Sequence, residues 1–197
     1  MIVLMLGPAR PHLIEYLKSF GDEVRTTEEK LTGESAILDD VDFIVSYGYR
    51  HILKRDVLDR FADRAINLHI SLLPFNRGAN PNLWSFLEDT PKGVTIHRID
   101  EGVDTGDILA QQDVVISATA TLKTSYDQLA TAIEVLFQRV WPEIRSLRRD
   151  AVPQPEGGTM HRRSDRAHVE HLLHSGWDTP VAELTGKALT KTLEGRR

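Results

Sequence analysis

The chain has 197 residues, 41% of them hydrophobic and 27% charged, which is typical of a soluble globular protein with one main domain. The absence of cysteine excludes a disulfide framework, a thiolate metal site and a cysteine nucleophile. With 24 basic and 29 acidic residues the net charge is -5, so the protein as a whole offers no general attraction to nucleic acid or to an anionic membrane.

The first part of the chain alternates strand patterns with helix patterns. Residues 1–7 form an apolar run that stops at a glycine, which is typical of a strand buried in a parallel sheet, and helical spacing follows over 13–17. Apolar runs at 41–46 and 65–70 enclose a helix-like stretch at about 54–63. This alternation predicts an α/β fold with a mostly parallel, twisted sheet and flanking helices.

The next part of the chain predicts two adjacent strands and a long helix. Alternating patterns at 94–99 and 108–116 indicate strands joined by the polar loop 100–107. Apolar residues spaced by three and four over 122–149 predict one amphipathic helix, in which Pro142 is a candidate kink. These elements complete the predicted main domain.

A segment rich in proline and glycine, 150–158, marks the candidate domain boundary. We predict a main, catalytic domain over 1–150 and a C-terminal extension over 151–197. The extension is expected to contain one short helix at about 164–175, closed by Gly176. Its histidines could in principle share a metal, but an apolar helix side and the lack of cysteine favour a solvated face, so no metal is expected.

The residues best suited to chemistry lie between positions 67 and 107. Asn67 and His69 are two apart, so on an extended strand both side chains point to one face. Asp104 lies in a predicted loop between Gly102 and Gly106, whose backbone freedom allows a carboxylate to be aimed inward. An amide donor, an imidazole and a carboxylate suffice for acyl transfer without a covalent enzyme intermediate. Taken singly, each residue is also typical of packing or of a turn.

The same region carries a series of short motifs in a fixed order. They are NLHISLLP at 67–74, RG at 77–78, GVTIH at 93–97 and DTGDI at 104–108. Together they resemble the folate-dependent formyltransferases, which include glycinamide ribonucleotide and methionyl-tRNA formyltransferases. The resemblance runs over about 46–111, roughly a third of the chain, and implies a Rossmann-like α/β fold with a largely parallel sheet.

The resemblance implies transfer of a formyl group from 10-formyltetrahydrofolate, a co-substrate, to a primary amine. Asn67, His69 and Asp104 match the catalytic positions, and His97 matches a strand position that supports the catalytic loop. Asp104 is expected to raise the pKa of His69 by the proximity of opposite charge. The protonated ring and the Asn67 amide would then hold the negative charge that develops on the formyl oxygen.

Binding residues follow from the resemblance and from local charge. Those expected at the folate are Tyr49, Arg50, His51, Ile52, Leu53, Asp100 and Gly102. Those expected at the acceptor are Ser71, Asn76, Arg77 and Gly78, together with Arg162 and Arg163. The last two belong to a dense arginine run in the extension, and a guanidinium pair can grip a phosphate bidentately.

The identity of the amine is narrowed by two departures from well-known relatives. The turn at 7–11 reads Gly-Pro-Ala-Arg-Pro, which lacks the glycine- and serine-rich phosphate loop of glycinamide ribonucleotide formyltransferases. The short region after position 150 leaves no room for the C-terminal barrel of methionyl-tRNA formyltransferases, and the net charge of -5 disfavours tRNA. A nucleotide-linked amino sugar is therefore the favoured acceptor.

Three alternatives remain open at this point. The chain could be a glycinamide ribonucleotide formyltransferase, a hydrolase that releases formate from the same folate, or a non-catalytic nucleotide-binding α/β module. No apolar stretch approaches the ~18–20 residues of a membrane helix, and no signal-peptide pattern opens the chain. We therefore expect a cytoplasmic protein whose partner is a small-molecule amine, with no nucleic acid or membrane partner, and leave a homodimer open.

Overall fold

A computed structural model describes residues 1–188 of the chain, and its strands form one large and one small sheet. The strands are β1 (Ile2–Leu6), β2 (Glu23–Thr27), β3 (Phe43–Ser46), β4 (Ala65–His69), β5 (Arg77–Gly78), β6 (Gly93–Arg98), β7 (Ile108–Asp113) and β8 (Met160–His161). The large sheet has the order β2-β1-β3-β4-β6-β7. Its pairings β1 with β2, β1 with β3 and β3 with β4 are parallel, and β6 is antiparallel to β4. The predicted mostly parallel α/β fold is confirmed.

Four α-helices accompany these strands in the described part of the chain. They are α1 (Pro11–Lys18), α2 (Arg55–Leu58), α3 (Pro81–Leu87) and α4 (Leu122–Ile144). Proline opens α1 and α3, where its missing N–H leaves no helical hydrogen bond unmade. Pro142 lies in the last turn of α4, and the helix ends earlier than the predicted residue 149. Within the described residues no helix is long and apolar enough to cross a membrane.

Two predictions of local structure were wrong. β2 was missed because it is an edge strand whose sequence, EVRTT, is polar and only partly buried, so it lacks an apolar run. The helix predicted at 164–175 is replaced by the 3-10 segments Arg163–His168 and Glu170–Leu172. The rest of the predicted extension, 189–197, lies outside the described residues.

The fold divides into two compact units, each made of separate chain segments. The first unit comprises Met1–His69, Thr95–Gln111 and Ile133–Gln154. The second unit comprises Ile70–Val94, Gln112–Ala132 and the described part of Pro155–Arg197. This division does not follow the boundary predicted at residue 150.

Each unit has its own apolar cluster. In the first unit the buried members are Leu4, Leu6, Leu31, Leu38, Ile44, Leu53, Val57, Phe61 and Ala65. In the second unit they are Leu83, Trp84, Phe86, Leu87, Ala120, Leu122, Val169, Val181 and Leu184. The C-terminal segment therefore contributes to the core of the second unit and is not a loose appendage, because three of its side chains are buried there.

The second unit also joins distant segments through its backbone. β5 pairs in parallel with β8, with Arg77 opposite Met160 and Gly78 opposite His161. A further bridge pairs Thr121, just before α4, with Pro180. These pairings fix the segment that follows residue 158 against the loop that precedes α3.

Candidate functional site

The polar side chains of β4 lie in the first unit, in the middle of the large sheet. β4 runs between β3 and β6, and in this register Asn67 is opposite His97 while His69 is opposite Thr95. Asn67 and His69 are two residues apart on the strand, so they share one face. His69 and His97 are both buried, at 7% and 2% exposed.

Asp104 contacts all three of these polar side chains. Asn67 Nδ2 donates a hydrogen bond of 3.0 Å to Asp104 Oδ1. The same carboxylate oxygen lies 3.4 Å from His97 Nε2, and Asp104 Oδ2 lies 3.5 Å from His69 Nδ1. One carboxylate therefore links the amide and both imidazoles, in a setting where its own side chain is only 14% exposed.

The hydrogen bonds of His97 determine how the Asn67 amide is turned. His97 Nδ1 lies 2.7 Å from the carbonyl oxygen of Arg98, which can only accept, so Nδ1 carries a hydrogen. In the neutral ring Nε2 is then an acceptor, and it lies 3.3 Å from Asn67 Nδ2. The amide nitrogen thus faces two acceptors, His97 Nε2 and Asp104 Oδ1, and this fixes its donor side.

The loop that carries Asp104 is held by its own polar groups. Asp104 has a φ of 52°, in the left-handed region that few residues other than glycine adopt. Asp100 Oδ1 accepts hydrogen bonds from Gly102 N at 3.1 Å and from Thr105 Oγ1 at 2.7 Å. At Gly106 a side chain would overlap the carbonyl oxygen of Arg98, so only glycine fits there.

The predicted folate residues divide into internal and exposed side chains. The Tyr49 hydroxyl donates to Glu29 O at 2.6 Å and accepts from Leu31 N at 3.2 Å. Burial raises the pKa of Tyr49, and the hydrogen bond with Leu31 only partly offsets this. Leu53 is 3% exposed and belongs to the apolar core, so these two side chains serve the fold.

The other folate candidates lie at the surface of the first unit. Arg50, His51, Asp100 and Gly102 are exposed. Ile52 is 58% exposed, and Val103, in the loop between Asp100 and Asp104, is 38% exposed. The Arg55 Nε to Glu101 Oε1 ion pair, 2.5 Å long, joins the segment after Ile52 to the loop that carries Val103. The ion pair therefore links the first residue of α2, two positions after the segment 49–53, to the loop 100–104.

The predicted acceptor residues all lie in the second unit, but they are not equivalent. Ser71 Oγ donates to Phe75 O at 2.7 Å within a turn. Asn76 is fully buried, and its amide donates to Glu88 Oε2 at 3.0 Å and accepts from Thr90 Oγ1 at 2.7 Å. These hydrogen bonds hold the two side chains within the loop, and their predicted contact with the acceptor stays a prediction.

The remaining acceptor candidates lie on or beside the small sheet. Arg77 and Gly78 form β5, and Arg162 and Arg163 follow directly after β8, its partner strand. Arg77 is half-buried, and its Nε has no hydrogen-bond partner within the described residues. Arg162 and Arg163 are exposed. Three arginines from two distant segments therefore lie on or directly beside one two-stranded sheet.

Sequence reasoning missed a polar cluster that holds this small sheet, formed by Glu88, His161 and Trp84. Glu88 Oε1 lies 2.9 Å from His161 Nε2, although the two residues are 73 positions apart. The His161 ring stacks on Trp84, with 3.7 Å between centroids and 4° between planes. Burial raises the pKa of Glu88, but its hydrogen bonds with His161, Thr159 and Asn76 prevail and hold it below its ordinary value.

No metal centre emerges from the described residues, because no group of three or more histidine, aspartate or glutamate side chains is placed to hold an ion. The pairs actually formed by the histidines of the second unit are with carboxylates, as in His161 with Glu88 and His174 with Glu183. These histidines therefore read as ion-pair partners.

Comparison with known proteins places this geometry in context. The sequence pattern of the family described as formyl transferase matches residues 17–140. The methionyl-tRNA formyltransferase of Paraburkholderia phymatum is 34% identical over 148 residues, which is 74% of this chain and 43% of that protein. The chain spans less than half the length of the curated relatives it matches, between 29% and 43%.

Solved structures extend the comparison to three dimensions. The formyltransferase PseJ from Anoxybacillus kamchatkensis, solved with UDP-4,6-dideoxy-4-formamido-L-AltNAc and tetrahydrofolate, is 54% identical with a TM-score of 0.94, covering 95% of this chain and 100% of that one. The N-formyltransferase from Helicobacter canadensis is 21% identical with a TM-score of 0.71, covering 84% of this chain and 72% of that one, and shares the fold. With the matched pattern covering more than half of its length, the chain belongs to the formyl transferase family.

Proposed function

We propose that this chain transfers a formyl group from 10-formyltetrahydrofolate to the primary amine of a nucleotide-linked amino sugar. The observation that carries the proposal is the convergence of Asn67, His69 and Asp104 in a chain that is 54% identical to PseJ. PseJ was solved with a UDP-linked formamido sugar and tetrahydrofolate, which are the product and spent donor of such a reaction.

The catalytic residues have distinct roles in this proposal. The folate supplies the formyl group. When the substrates bind, the Asn67 amide hydrogen that faces His97 Nε2 is redirected to the oxygen on which negative charge develops, while the hydrogen bond to Asp104 is kept. Protonated His69 donates to the same oxygen, and this charged donor is about twice as strong as the neutral one. Asp104, 3.5 Å from His69 Nδ1, stabilises the protonated ring and accepts the proton that the amine loses, directly or through a water.

His97 acts in this scheme by positioning its neighbours. Its Nδ1–H is committed to the carbonyl of Arg98, so Nε2 faces the Asn67 amide and the Asp104 carboxylate. The ring thereby keeps the donor side of Asn67 turned toward the centre of the network. A catalytic donor that is already oriented costs no reorganisation at the moment of reaction.

The folate is proposed to bind at an exposed surface of the first unit. Exposed Ile52 and Val103 provide apolar side chains for a flat heteroaromatic ring, on two segments joined by the Arg55–Glu101 ion pair. The neighbouring backbone of 49–53 and 100–102 supplies the polar groups that such a ring requires. Arg50 and His51, both exposed, are proposed to contact the more polar parts of the molecule.

Arg77, Arg162 and Arg163 are proposed to bind the anionic part of the acceptor. A protein of net charge -5 needs a local cationic surface to hold a nucleotide diphosphate. The pairing of β5 with β8 brings the backbone of two segments that carry these arginines side by side in the second unit. Ser71 and Asn76 contribute indirectly, by shaping the loop that carries Arg77 and Gly78.

The experiment that tests the proposal is an assay of 10-formyltetrahydrofolate with a panel of amines. The panel contains a UDP-linked 4-amino sugar, a dTDP-linked amino sugar, glycinamide ribonucleotide and no amine at all. We expect amine-dependent tetrahydrofolate release and a formylated UDP-sugar by mass spectrometry. Equal formate release without amine would indicate a hydrolase, and folate-independent nucleotide binding without turnover would indicate a binding module.

A further inference from the structure

The segment 150–158, which its prolines and glycines suggest is a linker, is bound to the catalytic loop of the first unit through residue 154. Gln154 Nε2 donates to the carbonyl oxygen of Asp104 at 2.9 Å and to that of Gly106 at 2.8 Å. An amide nitrogen carries two hydrogens, so both are used on this one loop. The bonds join positions 50 and 48 residues apart in sequence.

The backbone around Gln154 is fixed on both sides. Pro153 and Pro155 flank it, and a residue that precedes proline is restricted to extended conformations. Two residues earlier, Val152 exchanges two backbone hydrogen bonds of 2.8 Å with Ile108, the first residue of β7. Gln154 therefore lies on a short, extended segment whose backbone is held by hydrogen bonds, and its side chain reaches the loop from there.

The loop itself needs such a support. Asp104 has a φ of 52°, and a non-glycine residue in that region persists only where its surroundings hold it. The carbonyls that Gln154 binds belong to Asp104 and to the second residue after it, so the two hydrogen bonds span the strained turn. The direction of the Asp104 side chain is set by this backbone.

Gln154 contributes through its donor side alone. Its Oε1 is buried and has no hydrogen-bond partner within the described residues. Because the buried acceptor gains nothing from the protein, packing alone does not account for an amide at this place. The use of both hydrogens on the carbonyls of the Asp104 loop does account for it.

We propose that Gln154 is a positioning residue that holds the Asp104 carboxylate in reach of His69 by fixing the backbone between residues 104 and 106. The inference rests on the proposed function, in which this carboxylate stabilises the His69 ring and accepts a proton. Gln154 touches no reacting atom. Its main effect is on the rate of the chemical step, and the binding of the acceptor should not change.

Kinetics of Gln154→Met and Gln154→Glu test the proposal. Both variants keep the length of the side chain and remove its donors, and we expect kcat to fall about 10- to 100-fold with the KM for the acceptor within about twofold of the wild type, as for a slightly misplaced catalytic group. Gln138→Met and Gln138→Glu, changed at a part-buried position of α4, are the matched controls and should keep the wild-type kcat. A wild-type kcat in both Gln154 variants would overturn the proposal.

The pH dependence of Gln154→Glu separates positioning from a loss of folded protein. A protonated glutamate regains one O–H donor, so the ratio of its kcat to that of the wild type should rise as the pH falls into the range where the new side chain protonates. Gln154→Met has no such group, and its ratio should stay flat. A flat ratio for both variants, with kcat scaling only with the folded fraction, would assign Gln154 a merely structural role.

A crystal structure of Gln154→Met gives a readout that does not depend on activity. We expect Asp104 to leave the left-handed region, or its Oδ2 to withdraw from His69 Nδ1 beyond about 4 Å, the limit of an ion pair. An unchanged loop would overturn the inference even if kcat falls. Failure of the wild type to transfer formyl to any amine would instead contradict the proposed function, and the loop geometry would still decide the role of Gln154.

Discussion

Asn67 donates its amide hydrogen to Asp104 across 37 positions of the sequence, with 3.0 Å between Nδ2 and Oδ1. The other oxygen of the same carboxylate lies 3.5 Å from His69 Nδ1. Asp104 therefore bridges the neutral donor and the imidazole, so that removing it affects both. Because Asp104 contacts both side chains, a single substitution in this group of three residues is expected to disrupt more than one contact.

His69→Ala and Asp104→Ala should each reduce kcat by at least about a hundredfold, the scale expected when a preorganised donor or a proton-transfer group is lost. Folding should survive, which circular dichroism and thermal unfolding can verify. His12→Ala is the control, because His12 is exposed and pairs with Glu134 at the surface. Near-normal turnover of either purified variant would remove the proposed mechanism.

The folate proposal distinguishes two neighbouring side chains. Ile52→Asp should raise the KM for 10-formyltetrahydrofolate, because it places a charge on the exposed apolar surface that is proposed to bind the ring. Tyr49→Phe should leave that KM unchanged and lower the free energy of unfolding by about 1 kcal/mol, since the hydroxyl bonds Glu29 and Leu31 within the protein. Steady-state kinetics and denaturant unfolding measure both. The opposite pattern would place the folate elsewhere.

The Glu88–His161 contact predicts a change in acid stability. The pKa of Glu88 is held below its ordinary value, so its charged form stabilises the fold above the unfolded pKa, and this contribution is lost as the pH falls through the folded pKa. Glu88→Gln should therefore be less stable than the wild type at neutral pH. The difference should shrink in the acid range, below about pH 4.3, where the wild type loses its charge.

Urea midpoints measured from neutral to acid pH check this prediction. Asp89→Asn is the control, because the carboxylate of the neighbouring Asp89 is 56% exposed and pairs with Lys92 at 3.4 Å, and ion pairs of exposed carboxylates contribute little. Parallel stability curves for the wild type and Glu88→Gln would show that the charge of Glu88 does not support the small sheet.

The strands that could be predicted are those whose burial requires a run of apolar residues in the local sequence. β1, β3 and β4 are apolar runs because both faces of these strands are covered, and β4 could be placed together with its two polar positions. β2 could not, because a polar edge strand resembles a loop. The C-terminal helix was wrongly predicted because its apolar residues reach the core from short 3-10 turns.

The candidate site was predictable only in part, for a related reason. Asn67, His69 and Asp104 belong to a continuous series of motifs, whereas Gln154 and the Glu88–His161 pair act through contacts between distant segments. No local spacing encodes such a contact, since it depends on how the chain closes. Asn76 lies close to the motifs in sequence, but its internal hydrogen bonds could not be predicted either. Its side chain is buried and bonded to Glu88 and Thr90.

The acceptor prediction concerns the guanidinium groups after β8. Arg162→Ala and Arg163→Ala should each raise the KM for the nucleotide-linked acceptor by about tenfold or more, because losing a charged hydrogen bond to phosphate costs about 1.5–3 kcal/mol. The KM for the folate should not change, since these residues are proposed to touch only the anionic part of the acceptor. Arg148→Ala removes an exposed guanidinium of the first unit, bonded to Ser146, and is the control for a general loss of positive charge.

The salt dependence of the acceptor KM makes this prediction more specific. A phosphate held by exposed arginines is screened by added salt, so the wild-type KM should rise with ionic strength. Each arginine variant should show a weaker rise, because one of the screened interactions is already absent, whereas Arg148→Ala should follow the wild type. Unchanged acceptor kinetics in both Arg162→Ala and Arg163→Ala would leave the segment after β8 as a packing element of the second unit and would move the anion site to other residues.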